Sequence, residues 1–261
     1  MKITSKTLSV VTGATGGFGK SISKSILNSG GYLLFVGRDT NKIKSFEKSI
    51  ESKYSDFFYS FKADLSNKDD LDLLRKTLIK ILKSNKNIDE IFLFNNASTI
   101  DPIDLIYNVS FENISSSLVL NVASAYSLAS ILININKTIK TFRTNIINIS
   151  SGVSINAIKG WSTYCISKAA MNMLSKCIAV ENDEEKSYIF SLSINPGAIN
   201  TEMQKKIRDA DPVKIPIASK FKNMYDEGAL QEPEDVTEKL FRILEAENIS
   251  NGEYIDFNKI D

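Results

Sequence analysis

The residues best equipped for chemistry in this chain are Tyr164, Lys168 and Ser151. Tyr164-Cys165-Ile166-Ser167-Lys168 sets a phenol and an ammonium at i and i+4, on one face of a helix. A free tyrosine titrates near ~10, too high for easy proton exchange at neutral pH; a neighbouring ammonium favours the phenolate and lowers that value. Ser151 lies a short way upstream, at the end of an apolar run, where its hydroxyl can hold a carbonyl oxygen. Tyr-x-x-x-Lys alone is common by chance, and it gains meaning only in company. The chain has no histidine. That excludes Ser-His-Asp and Cys-His catalysis and most catalytic zinc sites, leaving proton chemistry to Tyr, Lys, Asp, Glu or Cys.

The company is at the other end of the chain. Thr12-Gly13-Ala14-Thr15-Gly16-Gly17-Phe18-Gly19 follows a strand-like run and opens a helix-like one. Glycines at 13, 17 and 19 let the backbone turn tightly and bring a helix N-terminus up to a pyrophosphate, so the segment reads as a dinucleotide loop. Roughly twenty residues on, an NAD-preferring site would carry an acidic residue for the ribose hydroxyls. Gly37-Arg38 stands there instead, and a guanidinium suits a 2′-phosphate, so NADP(H) is the expected cofactor. Asp39 reads as the N-cap of the next helix.

Elements that position these groups alternate along the whole chain. Strand-like runs fall at 8–12, 32–36, 57–63, 91–94, 145–149, 189–194 and 253–257. Helix-like stretches fall at 18–28, 41–53, 68–82, 111–135, 164–180 and 236–247. Short continuous apolar strands separated by helices predict a parallel sheet covered on both faces, an α/β doubly wound Rossmann-type fold. No linker or repeat interrupts the series, so one domain spanning 1–261 is expected. Residues 200–232 contain Pro212, Pro216 and Gly228, break the alternation and fall where ligands bind in such folds; they are expected to form a substrate lid.

Composition narrows the setting. Hydrophobic residues make up 43% of the chain, enough for a large core, and the formal net charge is +1 with basic residues scattered, which gives no footprint for nucleic acid. The N-terminal residues lack a secretory apolar region, and no run of about 18 apolar residues suggests a membrane span. The two cysteines, Cys165 and Cys177, argue against a disulfide framework. A cytoplasmic protein is expected.

Taken together, the glycine loop, Asn95-Asn96-Ala97, Asn121, Ser150-Ser151, Tyr164 with Lys168, and Pro196-Gly197 to Thr201 resemble the short-chain dehydrogenase/reductase family in order and spacing, over nearly the whole chain. The resemblance implies Tyr164 as proton donor to a substrate carbonyl and Ser151 as the group that orients it. It also implies that Lys168 binds the nicotinamide ribose and tunes Tyr164, and that Asn121 supports a water relay. Thr15, Phe18, Asp64, Leu65, Asn96, Ala97, Pro196, Gly197 and Thr201 would join Gly13, Gly17, Gly19 and Arg38 around the cofactor. No metal is implied. Dimerisation through the helices at 111–135 and 164–180 is implied.

Within the family, Lys159-Gly160-Trp161, Tyr164-Cys165, Thr201-Glu202-Met203-Gln204 and Ile255-Asp256-Phe257 resemble the sepiapterin reductases more than other members. That resemblance implies a pterin substrate anchored by Asp256, whose carboxylate can accept two parallel N–H donors. Trp161, Cys165 and Met203 would supply the pocket walls. A second expectation keeps the enzyme and replaces the pterin with another vicinal diketone or an aromatic ketone; a third is a dinucleotide binder without turnover. Two positions depart from the family pattern. Gly16 stands where related reductases often carry a basic residue, and Ser98 replaces the usual glycine after Asn-Asn-Ala.

Overall fold

The computed structural model of the chain describes residues 1–139, 142–183, 188–246 and 248–260. Among these, seven strands form one sheet in the order β3-β2-β1-β4-β5-β6-β7. They are β1 (Thr7–Thr12), β2 (Tyr32–Gly37), β3 (Phe58–Lys62), β4 (Glu90–Asn95), β5 (Arg143–Ile149), β6 (Ile189–Asn195) and β7 (Tyr254–Asp256), and every pairing is parallel. Strands β1, β2, β4, β5 and β6 are buried along nearly their whole length because helices cover both faces, which is why they read as continuous apolar runs.

Helices α3 (Lys68–Ser84), α5 (Ser124–Thr138) and α6 (Ser162–Glu181) cover one face. Their Leu74, Leu78, Leu128, Leu132, Met171 and Leu174 join a single buried cluster with the sheet. Helices α1 (Gly17–Asn28), α2 (Thr40–Ser49) and α9 (Pro233–Glu245) cover the other, through Ile22, Ile26, Phe46, Val236 and Leu240. The result is a single-domain Rossmann-type fold. From β1 the chain winds out to β3, then crosses back to place β4 on the other side of β1. That reversal opens a crevice beyond the carboxyl ends of β1 and β4, the usual ligand position in such sheets.

Four expectations change. Helix α2 stops at Ser49, and Ser52–Phe57 forms a 3-10 turn, so the amphipathic stretch predicted to residue 53 is shorter. The helix predicted over 111–135 is α4 (Phe111–Leu118) and α5 joined by a π-helical turn at Val119–Ala123. This composite helix, Phe111–Thr138, is long and apolar enough to cross a membrane by length and composition, with mean hydropathy 1.8. Interspersed polar residues hide that in a search for an unbroken apolar run; the inner side of the helix packs on the sheet through Leu128, Leu132 and Ile135. The segment 200–232 is built around α7 (Glu202–Arg208) and α8 (Ile217–Asp226). The end of the predicted helix at 236–247 falls on residue 247, outside the described residues.

Candidate active site

The crevice is lined first by the glycine loop. Gly13 has φ +60, and a Cβ there would lie 2.8 Å from the Ala97 backbone; one on Gly19 would lie 2.5 Å from the Gly13 carbonyl and 2.6 Å from Asn96 Nδ2. Only glycine lets these segments approach so closely. Asn96 locks the arrangement: its Nδ2 donates to the carbonyls of Thr12 (3.0 Å) and Gly13 (3.2 Å). The Thr12 hydroxyl donates to the Phe94 carbonyl and accepts from the amides of Asn96 and Ala97. The loop delivers the chain to α1, whose N-cap is Gly16 with no side-chain cap and whose first turn has no acidic residue. Exposed amide donors at a helix N-terminus, with backbone packed too tightly for side chains, fit a pyrophosphate. Thr201 closes the far side, its Cγ2 3.0 Å from where a Gly17 Cβ would be.

Further out, Arg38 is exposed at the end of β2, and its charge helps hold the Asp64 carboxyl below its ordinary range, after the hydrogen bonds from Ser66. Asp39 caps α2 as expected, accepting from the amides of Asn41 (2.8 Å) and Lys42 (3.1 Å). Beside them lies a hollow of about 230 Å³ lined by Thr15, Lys20, Lys42, Ser45, Phe35 and Phe46. Sequence patterns do not single out either lysine: they sit on different helices, α1 and α2, and the fold brings both to the lining of one hollow.

The three reactive candidates converge at the carboxyl end of β5 and the start of α6. Tyr164 is 8% exposed, and its hydroxyl lies near that of Ser151. Burial drives this hydroxyl well above the ordinary tyrosine range, opposed by the neighbouring Ser151 hydroxyl. The expected lowering by the lysine is not seen: desolvation of the phenolate sets the direction, and Ser151 rather than Lys168 opposes it. Lys168 Nζ donates to the Ile149 carbonyl (2.8 Å) and lies 5.4 Å from the centre of the Tyr164 ring. Burial lowers its pKa to about 8.

Supporting residues hold this geometry. Ser150 Oγ donates to Asn172 Oδ1 (2.6 Å), and Asn172 Nδ2 donates to Ser154 Oγ (2.8 Å), which ties the Ser151 turn to α6. Asn121 lies in the π turn, a feature invisible to periodicity. Its Oδ1 accepts from the Thr99 amide (2.8 Å), while Nδ2 donates to the Thr99 carbonyl (2.8 Å) and to Ser167 Oγ (3.2 Å).

Over the reactive group sits a separate apolar cluster of Ile100, Trp161, Tyr164, Ile207, Ile215 and Ala218, with Cys165, Met203 and Phe221 packed against it. Trp161 meets Tyr164 edge to face at 5.9 Å and stacks on Phe221 of α8 at 6.3 Å. The stretch 200–232 therefore covers Tyr164 with apolar and aromatic groups. At its rim, Lys206 pairs with Asp101 (2.5 Å) and Lys214 with Asp104 (2.6 Å), bordering a cleft of about 600 Å³. Asp256 is engaged by its own neighbours. Its Oδ1 accepts from Asn195 Nδ2 (2.8 Å), the Asn258 amide (3.1 Å) and Asn258 Nδ2 (2.9 Å).

A nucleotide cradle beside a Ser-Tyr-Lys group on a parallel sheet of this order is matched by the sequence model of the short chain dehydrogenases over residues 7–212. The chain belongs to the short-chain dehydrogenase family. It is an NAD(P)-dependent oxidoreductase by membership. A benzil reductase ((S)-benzoin forming) of Bacillus cereus is 28% identical over 246 residues, covering 94% of this chain and 97% of that protein. Sepiapterin reductase of Mus musculus is 26% identical over 260 residues, covering 95% of each. A short chain dehydrogenase/reductase structure from Saccharomyces cerevisiae superposes with TM-score 0.80 at 23% identity, covering 98% of this chain and 97% of the other; at that identity it supports the fold alone.

The expectation that the sepiapterin reductases are this chain's nearest relatives is overturned, since the benzil reductase matches it more strongly. The residues that suggested them have structural uses a shared backbone explains. Gly160 faces the Lys214 carbonyl at a distance that excludes a side chain, and Asp256 caps the turn after β7.

Proposed function

We propose that this protein is an NADPH-dependent carbonyl reductase acting on vicinal diketones, with aromatic diketones such as benzil as the preferred class. The observation that carries the reading is the placement of Tyr164 near Ser151 beneath a cap of Trp161, Phe221, Ile207 and Ile215. A flat, uncharged, apolar substrate suits that cap, and the match to a benzil reductase agrees with it.

Gly13, Thr15, Gly17, Phe18, Gly19, Asn96, Ala97, Pro196, Gly197 and Thr201 would hold the dinucleotide, with Asp64 and Leu65 at its adenine end. Arg38, with Lys20 and Lys42 nearby, supplies cations for a 2′-phosphate, which favours NADP(H). When bound, the nicotinamide supplies the hydride. The hydroxyls of Ser151 and Tyr164 hold the carbonyl oxygen, and Tyr164 gives its proton to the developing alkoxide. A raised Tyr164 pKa suits a donor, because the proton stays on the phenol until the alkoxide forms. The Lys168 ammonium stabilises the phenolate left behind and holds the ribose. Asn121, pinned to Thr99 and Ser167, keeps the neighbouring π turn in shape for a water that restores the proton.

The chain also carries an apolar stripe on α6, Ile166, Met173 and Val180, beside exposed Phe111, Val119 and Tyr126 on the α4–α5 helix. We assign this surface to a homodimer in the cytoplasm; light scattering that returns a monomer mass at micromolar concentration would refute it. The catalytic reading is tested by following NADPH oxidation with benzil, with a matched aromatic monoketone and with NADH as comparisons. Turnover of the diketone that depends on Tyr164 is expected; no diketone turnover by the wild type sinks the reading.

A further inference from the structure

Several buried polar side-chain atoms in the described residues have no hydrogen-bond partner, and chemistry divides them. Those of Ser9, Ser117, Ser193 and Tyr254 are hydroxyls, which can both donate and accept, and those of Asn95 and Asn145 are amide oxygens whose own Nδ2 groups are bonded. Only two are groups that can do nothing but donate: Trp161 Nε1 and Gln204 Nε2. Both belong to the cap over Tyr164. Trp161 is 3% exposed and meets Tyr164 edge to face. Gln204 is 5% exposed and sits on α7 one turn before Ile207, a member of the same apolar cluster. Its amide orientation is set by Arg208, whose Nη1 donates to Oε1, so Nε2 is the free donor.

A buried unpaired N–H destabilises the fold, and native proteins keep few of them. Two donor-only groups in the wall of one site match a ligand that can only accept. A vicinal diketone is such a ligand: neither carbonyl oxygen carries a proton. Ser151 and Tyr164 serve the carbonyl that is reduced, which leaves the second oxygen without a donor from that pair. We infer that the Trp161 indole N–H binds the second, unreacting carbonyl oxygen of a vicinal diketone, and so selects diketones over monoketones. This rests on the diketone reading above. Phe221 and α8, stacked on Trp161, must shift to admit the substrate. Gln204 is the reserve donor on the opposite element.

The test is Trp161→Phe, together with replacement of Trp161 by benzothienylalanine, which keeps the ring shape and puts sulfur in place of the N–H. For each protein, kcat/KM is measured for benzil and for a matched aromatic monoketone, with the thermal midpoint of the free protein. The expected result is a loss of about tenfold in kcat/KM for the diketone. The monoketone should lose clearly less than the diketone, and the shape-preserving benzothienyl variant should melt at the same temperature or higher, since an unpaired buried donor has been removed. Trp161 is the only tryptophan in the chain, so its emission reads the bond directly. In Tyr164→Phe, a diketone should shift the emission maximum to the red and a monoketone should not. Equal losses for both substrates, a diketone preference that survives in the benzothienyl variant, or a lower melting temperature in that variant would overturn the inference. A wild type that turns over no diketone fails differently: it removes the proposed function itself, whatever the variants do.

Discussion

The two halves of this site are built on different principles. The nucleotide half is made of backbone: Gly13, Gly19, Asn96 and Ala97 approach within bonding or contact distance, and Thr12 and Asn96 tie the ends of β1 and β4 together. The substrate half is made of side chains from distant segments, with Ile100, Trp161, Met203, Ile215 and Phe221 meeting above Tyr164. Its rim is closed by exposed ion pairs rather than by hydrogen-bonded backbone. Backbone cradles tolerate almost no change, whereas side-chain caps can be rebuilt, so the first half defines a family and the second a substrate.

Substitutions should separate the halves, beginning with the most severe. Gly19→Ala places a methyl 2.5 Å from the Gly13 carbonyl. We expect about 1–3 kcal/mol of destabilisation and loss of measurable NADPH binding by calorimetry. Unchanged affinity would mean that the cradle can yield. Arg38→Ala should leave folding intact and cut the preference for NADPH over NADH by about tenfold to a hundredfold, the worth of one charged hydrogen bond to a phosphate. If the preference persists, Lys20 and Lys42 carry the 2′-phosphate instead, and adding Lys42→Ala should then remove it.

At the junction of the halves, pH gives a subtler test. Lys168 has its pKa lowered by burial to about 8, while an unfolded lysine keeps 10.5. Below about 8 the ammonium is present in the folded protein; above it the charge is lost. The value of kcat/KM should therefore fall as pH rises through about 8, and Lys168→Arg, if it retains turnover, should move that limb upward. The stability sign is opposite. Between about 8 and 10.5 the unfolded chain binds the proton and the folded one does not, so this group's contribution to stability rises with pH across that window.

The smallest effect belongs to the rim. Asp104→Asn removes the pair with Lys214, which is exposed enough to be worth little in stability. A change of about two- to threefold in KM is expected, with the wild-type value drifting the same way as salt is added. The carboxyl of Asp104 is held down to about 2 by Lys214, Asn108 and Leu105, so acid above that value should not mimic the mutation.

The same division explains what could be read from the amino acids. Glycines at 13, 17 and 19, the i, i+4 pair Tyr164/Lys168 and the alternating apolar runs announce the sheet and the cradle because each reports a local constraint. The burial of Gln204, the convergence of Lys20 with Lys42 and the stacking of Phe221 on Trp161 depend on where separate helices land, and no local pattern carries that. The π turn at Asn121 escaped for a related reason, since one extra residue per turn barely disturbs an apolar helix pattern. Asp256 shows how local bonding adds to a residue's type: its Oδ1 is engaged by Asn195 and Asn258, which the sequence pattern does not reveal.

Tyr164 as the proton donor of a diketone reductase is tested by NADPH oxidation with benzil, measured for the wild type and for Tyr164→Phe. Steady turnover by the wild type is predicted, with a loss of about a hundredfold or more in the variant and NADPH binding retained. Equal rates in the two proteins, or NADPH binding with no diketone turnover by the wild type, would contradict it.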